Sequence, residues 1–260
     1  MSAVPAAAQP AVTFHEIRRL VHHLPKLEPV ALPDLSPYGK LAEWVQWLAR
    51  SQGGKPVLRR MRLAMYVGAH GCAESVEETR QRLAALTSGT DPVVKILTEA
   101  DADLRAYELD LDSPTADFRS GPALSEEAAA HAMSYGMMAV EPGLSLLALT
   151  GLGAGGELAY PALLAELPHS TDPLATLAKF GGLEACAILG AILAARLAKV
   201  PVLLDGLAAE AAAQVLVKLD PDALQHCASA EALEPEMPKG QGLAPALGLL
   251  RLKGLAVLVF

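Results

Sequence analysis

The sequence predicts an α/β fold with a mostly parallel sheet flanked by helices. Short apolar runs that end in glycine alternate with longer helical patterns, which implies strand–helix–strand units. The composition is 52% hydrophobic with only 4% aromatic residues, so alanine, leucine and valine build an interior suited to helices packed on a buried sheet. At 260 residues the chain fits one α/β domain, or one with a small appendage.

Residues 1–12 read as a Pro/Ala-rich, loosely ordered lead. A helical pattern runs from Phe14 to Leu24 and gives way to the Pro-broken "LPKLEPVALPDLSPYG". In "KLAEWVQWLARSQGG", Leu41, Trp44, Val45 and Leu48 fall at helical spacing, with Gly53 and Gly54 as the stop. "RLAMYVGAHG" (62–71) reads as a buried strand feeding a loop, "SVEETRQRLAAL" as a helix, and "DLRAYELDL" (103–111) as a second strand. "SEEAAAHAMSYGMMAVE" (125–141) is a helix capped by Ser125, with Glu126 and Glu127 in its first turn. "LSLLALTG" (144–151) is a third strand, followed by a glycine-rich loop and a helix. "GLEACAILGAILAARLAKV" is a long buried helix, "PVLLDG" (201–206) a fourth strand, and "LAAEAAAQVLVKL" a helix. No internal repeat is visible.

Charge and cysteine content exclude several classes. Acids outnumber bases 29 to 21, for a net charge of −8, and the short "LRRMR" at 58–62 reads as a solvated strand start. Nucleic acid is therefore not an expected partner. Cys72, Cys186 and Cys227 have neither disulfide-framework nor zinc spacing, so free thiols and no metal are expected. "MSAVPAAAQPAVTF" lacks the features of a signal peptide, and "ACAILGAILAA" (185–195) is short of the ~20 residues of a membrane span. A cytoplasmic protein without membrane contact is expected.

Ligands of open α/β sheets bind at the carboxyl ends of strands. The candidate segments are thus "GAHG" (68–71), the glycines Gly151, Gly153, Gly155 and Gly156, "DG" (205–206), and the stretch after "QHCASAE" (225–231). The glycines read either as a phosphate-cradling loop or as a close-packed strand-to-helix turn. His70 reads more simply as a hydrogen-bonded core or loop histidine, Asp205–Gly206 as a helix cap and turn, and Gly181 and Gly182 as close-packing residues. "AILGAILAA" is core or dimer interface.

Several ordered segments together resemble the nicotinate-nucleotide–dimethylbenzimidazole phosphoribosyltransferase family. They are "SPYGKLAEWVQWLARSQ", "AMYVGAHG", "SGPALSEEAAAHAMSYG", "HCASAE", "KGQGLAPALGLL" and, above all, "LAKFGGLEACAILGAILAARLAKVPVLLDGLAAEAAAQVL". The resemblance implies a Rossmann-like α/β core over 61–235. An N-terminal helical segment (1–60) and a C-terminal segment (236–260) would form a small subdomain from the chain ends. It also implies a homodimer, for which the Ala/Gly-rich helix at 181–195 is a reasonable contact surface. The reactants it implies are nicotinate mononucleotide and an azole or benzimidazole-type base, with no cofactor.

The family's reaction has a base nitrogen attack the anomeric carbon, nicotinate leave, and a glutamate in a Gly-Glu-Gly turn accept the base's proton. In this chain Gly240 and Gly242 remain, but Gln241 stands at the glutamate position. In the family's phosphate loop Gly153 and Gly155 match, while Gly151 replaces a glutamate, Gly156 an asparagine, and Glu157 and Leu158 two threonines. Ala69 replaces an aspartate beside His70. The expected nucleotide-binding positions are therefore His70, Gly153, Gly155, Gly156, Gly181, Gly182, Asp205, Gly240 and Gly242, with Gln241 at the catalytic position. Two readings stand: an active phosphoribosyltransferase with an altered base-acceptor pocket, in which another acid such as Glu184 or Glu231 replaces the lost glutamate, or a non-catalytic paralogue that binds a nucleotide, a base or a partner subunit. The substitutions at several chemical positions favour impaired or absent family chemistry.

Overall fold

Alternating inward-facing apolar residues generate five parallel strands, seen here in a computed structural model that describes residues 12–36, 39 and 41–259, with side chains as far as Gly254. In chain order the elements are α1 (Phe14–His22), α2 (Leu41–Gln52), β1 (Met61–Ala69), α3 (Glu77–Ser88), α4 (Pro92–Ala100), β2 (Ala102–Glu108), α5 (Glu126–Met137), β3 (Leu146–Ala154), α6 (Gly156–Glu166), α7 (Pro173–Phe180), α8 (Leu183–Leu197), β4 (Val202–Asp205), α9 (Gly206–Leu219), β5 (Cys227–Ser229) and α10 (Leu243–Val259). The expected lead at 1–12 lies outside the described residues up to Ala11, as do Pro37, Tyr38 and Lys40 of "SPYGK".

The sheet order is β2-β1-β3-β4-β5, with every pairing parallel. The direction of winding reverses between β1 and β3, which opens a crevice at their carboxyl ends. Side-chain alternation along the strands builds the two layers. Ala64, Tyr66, Leu147 and Leu149 face the core made with α1, α5, α6, α7, α8 and α9. Met61, Leu63, Leu146, Ala148 and Leu203 face the opposite way, against α2, α4 and α10. Segments from both chain ends therefore share the second core.

The cap on α5 forms as its sequence indicates: Ser125 Oγ accepts from the N–H of Ala128. Helix α8 is buried at every position from Glu184 to Leu193. Its glycine and that of α5 bring the two backbones together, since a Cβ at Gly190 would overlap the Met133 carbonyl and one at Gly136 the Ala187 carbonyl. The expected use of this helix as a dimer contact surface is thereby corrected, because α5, α9 and the sheet already cover it.

Two further expectations change. The "LRRMR" segment is not wholly solvated: Arg62 is 0% exposed and donates to Ala139 O, Glu141 Oε1 and Asp103 Oδ2 at 3.0, 2.9 and 3.1 Å. Its strand is an inner one, so a side chain on either face is covered, and the carboxylates compensate its charge. The third strand does not stop at Gly151 but continues to Ala154.

Candidate active site

The crevice between β1 and β3 is built by a ladder that runs right to the strand ends. Gly68 pairs with Gly153 and Ala69 with Ala154, and the His70 N–H then donates to Ala154 O at 2.9 Å. Only Gly155, at φ +85°, turns the chain before α6 begins at Gly156. The predicted glycine loop is thus mostly strand. Its glycines make room for side chains from the helices: a Cβ at Gly151 would lie 2.5 Å from Ala208 Cβ, and one at Gly153 would overlap Glu184 Oε1.

That room is taken by an ion pair. His70 Nε2 lies 2.7 Å from Glu184 Oε1, with the two side chains 2% and 0% exposed. Gly68 and Gly182 close the cage, since added Cβ atoms there would lie 2.7 and 2.6 Å from Glu184 Oε2. Tyr160 stacks edge-on against the imidazole at 5.2 Å. Burial opposes charge on both groups, yet each partner's charge and hydrogen bond prevail: His70 is raised above its ordinary pKa and Glu184 is lowered. Glu184 Oε2 and Tyr160 Oη are buried without a hydrogen-bond partner among the described residues. A fully buried, ionised Glu184 is a weak and inaccessible base, so it does not suit the role of substitute proton acceptor.

A second cluster forms at the end of β4. Asp205 occupies the N-cap position of α9, but its side chain does not cap that helix as expected. It instead accepts from the N–H groups of Gly240 and Gly242 at 3.0 and 3.1 Å, and from Thr150 Oγ1 at 3.1 Å. The backbones approach so closely that a Cβ on Gly206 would overlap Gly240 Cα. Three donors outside α9 take both carboxylate oxygens in place of the local cap. Burial raises the Asp205 pKa against those hydrogen bonds.

Gln241 sits between these anchored glycines, and Arg82 of α3 donates to both its side-chain oxygen and its backbone carbonyl. The same guanidinium contacts Asp91, the N-cap of α4, at 3.3 Å. Beside the turn lies a cavity of about 310 Å³, lined by Asp205, Gly206, Leu207, Ser229, Glu231 and Lys239 among others. Glu231 pairs there with Lys239 at 2.8 Å.

A phosphoribosyltransferase family model matches residues 26–169 and 161–253. The nicotinate-nucleotide–dimethylbenzimidazole phosphoribosyltransferase of Rhizobium rhizogenes is 30% identical over 266 residues, covering 82% of this chain and 79% of that protein. That of Brucella canis is 30% identical over 293 residues, covering 91% and 86%. The chain belongs to the nicotinate-nucleotide–dimethylbenzimidazole phosphoribosyltransferase family. The solved phosphoribosyltransferase of this name from Thermus thermophilus superposes with a TM-score of 0.73 at 22% identity, over 95% of this chain and 96% of that one, a likeness of fold.

Of the positions at which the chain resembles this phosphoribosyltransferase family, His70, Gly153 and Gly182 gather round Glu184, with Gly156 against Tyr160 and His70 and Gly155 at the turn beside them. Asp205, Gly240, Gln241 and Gly242 form the second group. Gly181 belongs to neither: its added Cβ would meet Leu177 O at 2.6 Å, a packing contact with α7. Arg82, Thr150 and Tyr160 were not singled out by the sequence. Arg82 lies in a polar helical stretch where nothing distinguishes it from a solvated arginine. Among the described residues no cluster of His, Cys, Asp and Glu could hold a metal ion, and no helix is long and apolar enough to cross a membrane.

Proposed function

We propose that this chain binds the family's two reactants, a nicotinate mononucleotide-type ribotide and a heteroaromatic base, and transfers the phosphoribosyl group slowly or not at all. The observation that carries this reading is Gln241. In the transfer, the base nitrogen forms a bond to the anomeric carbon, the bond to nicotinate breaks, and the base's N–H proton must pass to an acceptor. A neutral amide whose oxygen is held by Arg82 does not take that proton, and loss of a positioned general base costs ~10²–10⁴ in rate.

The glycine segment supports the same reading. Phosphate would be held at the N-terminus of α6, where free N–H groups and the helix dipole favour an anion. Glu157 stands in that first turn with a negative charge of its own. A second reading, slow transfer with Asp205 or Glu231 as proton acceptor, draws on their place in the wall of the cavity beside the turn.

Calorimetric titration with nicotinate mononucleotide and with dimethylbenzimidazole, alongside a turnover assay, separates the outcomes. Binding without appreciable α-ribotide is expected. Turnover at a rate typical of enzymes, about 1–10³ s⁻¹, would overturn the proposal. Loss of slow residual turnover in Glu231→Gln would favour the second reading.

A further inference from the structure

We propose that the amino-terminal edge of the sheet holds a site for a small oxyanion, phosphate or a carboxylate, formed by the buried guanidinium of Arg196 with Lys26, Arg50 and Lys199 around it. The site lies at the opposite ends of the strands from the crevice and stands independently of the proposed function.

Arg196 lies in the last turn of α8, just before β4, and is 2% exposed. Its Nε donates to Pro25 O at 2.9 Å and its Nη2 to Gln225 Oε1 at 3.3 Å. Nη1 is buried and has no acceptor among the described residues. Arg62, similarly enclosed, is met by Asp103 and Glu141; Arg196 has no such carboxylate among the described residues. Asp220 and Asp222 act on it at a distance, and Asp222 is engaged by Gln225 Nε2 at 2.8 Å. Burial, with the like charge of Arg50, lowers the Arg196 pKa despite these acids.

The surrounding cations are exposed and come from separate segments. Lys26 follows Pro25, and Arg50 stands in the last turn of α2. The Lys199 N–H donates to Arg196 O at 3.2 Å, and its ammonium lies 3.7 Å from where a Cβ on Gly53 would stand. Gly53 in turn donates to Arg50 O at 3.3 Å, which draws the end of α2 and the end of α8 together. The carbonyl ends of these helices offset part of the charge on Arg50 and Arg196, yet none of those carbonyls reaches Nη1. A buried guanidinium without a counter-charge is costly to a fold. An oxyanion supplies both the missing charge and the missing acceptor, and it meets a guanidinium that folding has already desolvated. Pro25 belongs to the irregular segment between α1 and α2, which no helix or strand holds in place, so an anion enters by displacing it.

The test is thermal unfolding of the full chain at constant ionic strength, with inorganic phosphate or acetate replacing chloride. Phosphate also stabilises proteins by exclusion from their surfaces, so wild type is read against Arg196→Gln. A saturable rise in midpoint of about 2 °C or more is expected in wild type and not in the variant. The double change Arg50→Gln with Lys199→Gln alters exposed side chains alone and should weaken the apparent affinity about threefold or more. Should Arg196→Gln not fold, this double variant decides. A rise with acetate rather than phosphate, weakened by the same changes, supports the site and assigns it to carboxylates. Equal rises in wild type and Arg196→Gln would put the anion elsewhere, at α6 for example, and overturn the inference. Unchanged affinity in the double variant, or no saturable rise with either anion, overturns it as well.

Discussion

His70 Nε2 and Glu184 Oε1 meet at 2.7 Å, one from the end of β1 and the other from the first turn of α8. The contact ties the strand at the winding reversal to the most buried helix of the domain. It exists because Gly68, Gly153 and Gly182 leave a carboxylate-sized space that any side chain at those positions would invade. The same crevice end that the glycine pattern marks for a ligand is thus filled by the chain's own charges.

Breaking this pair removes the charge that holds the His70 proton, and leaves a buried imidazole that burial keeps neutral beside an amide. Glu184→Gln should destabilise the fold by about 3 kcal/mol near neutral pH. The pH dependence follows from the two shifts. Glu184, lowered below its ordinary 4.5, contributes stability that is present above that value and is lost as pH falls through its folded pKa. His70, raised above 6.5, contributes stability that is full below 6.5 and is lost as pH rises through its folded pKa. Urea unfolding should show the largest gap between wild type and Glu184→Gln between these limits, narrowing on both sides.

Gly153→Ala tests the cage from the other direction. The new methyl would overlap Glu184 Oε1, and both strand and helix backbones are fixed, so a loss of about 1–3 kcal/mol is expected. Gly121→Ala, where a Cβ meets nothing within 4 Å, is the control and should change the midpoint of thermal unfolding little.

Asp205 accepts from two backbone donors with its two oxygens. Asparagine offers one oxygen and an NH₂, so Asp205→Asn leaves one of those N–H groups unpaired, at a cost of about 1–3 kcal/mol. The loss should be local. Hydrogen exchange at Gly240 and Gly242 should accelerate, while exchange in α8 should not. Unchanged protection of the turn would show that Arg82 alone holds it.

Elements governed by local periodicity were legible in the sequence: the Ser125 cap, the apolar run of β1 and the continuous apolar surface of α8. What was not legible depends on partners far along the chain. Glycines at 151 and 153 read as loop because glycine weakens a strand locally, whereas here they yield space to Ala208 and Glu184 from later helices. Arg62 reads as solvated until Asp103 and Glu141 are brought around it. Asp205 has the sequence of a helix cap, but Thr150 and the return of residues 240–242 give its carboxylate donors from outside the helix.

His226 sets an acid limit on stability. It is buried with Nε2 3.0 Å from Ile192 O, and burial, aided by Arg196, lowers its pKa to about 4. The unfolded chain takes up this proton near 6.5, the folded one only near 4, so stability is lost as pH falls between those values. The loss should be on the order of 3 kcal/mol, and His226→Gln, which keeps a donor for Ile192 O, should flatten that limb of the pH–stability curve.

Gln241→Glu places a carboxylate back in the turn, and a restored general base would raise the rate by ~10²–10⁴. A gain below about tenfold is expected instead, for two reasons. Arg82 donates to this side chain, so a carboxylate there is stabilised in its charged form and becomes a poorer proton acceptor. Glu157, in the first turn of α6, still opposes the phosphate. Combining Gln241→Glu with Glu157→Thr should improve KM for nicotinate mononucleotide beyond either change alone, while kcat stays limited by the Arg82 contact. If the single Gln241→Glu change raised turnover by about 10² or more, neither Arg82 nor Glu157 would be limiting. The loss of chemistry would then lie in one residue.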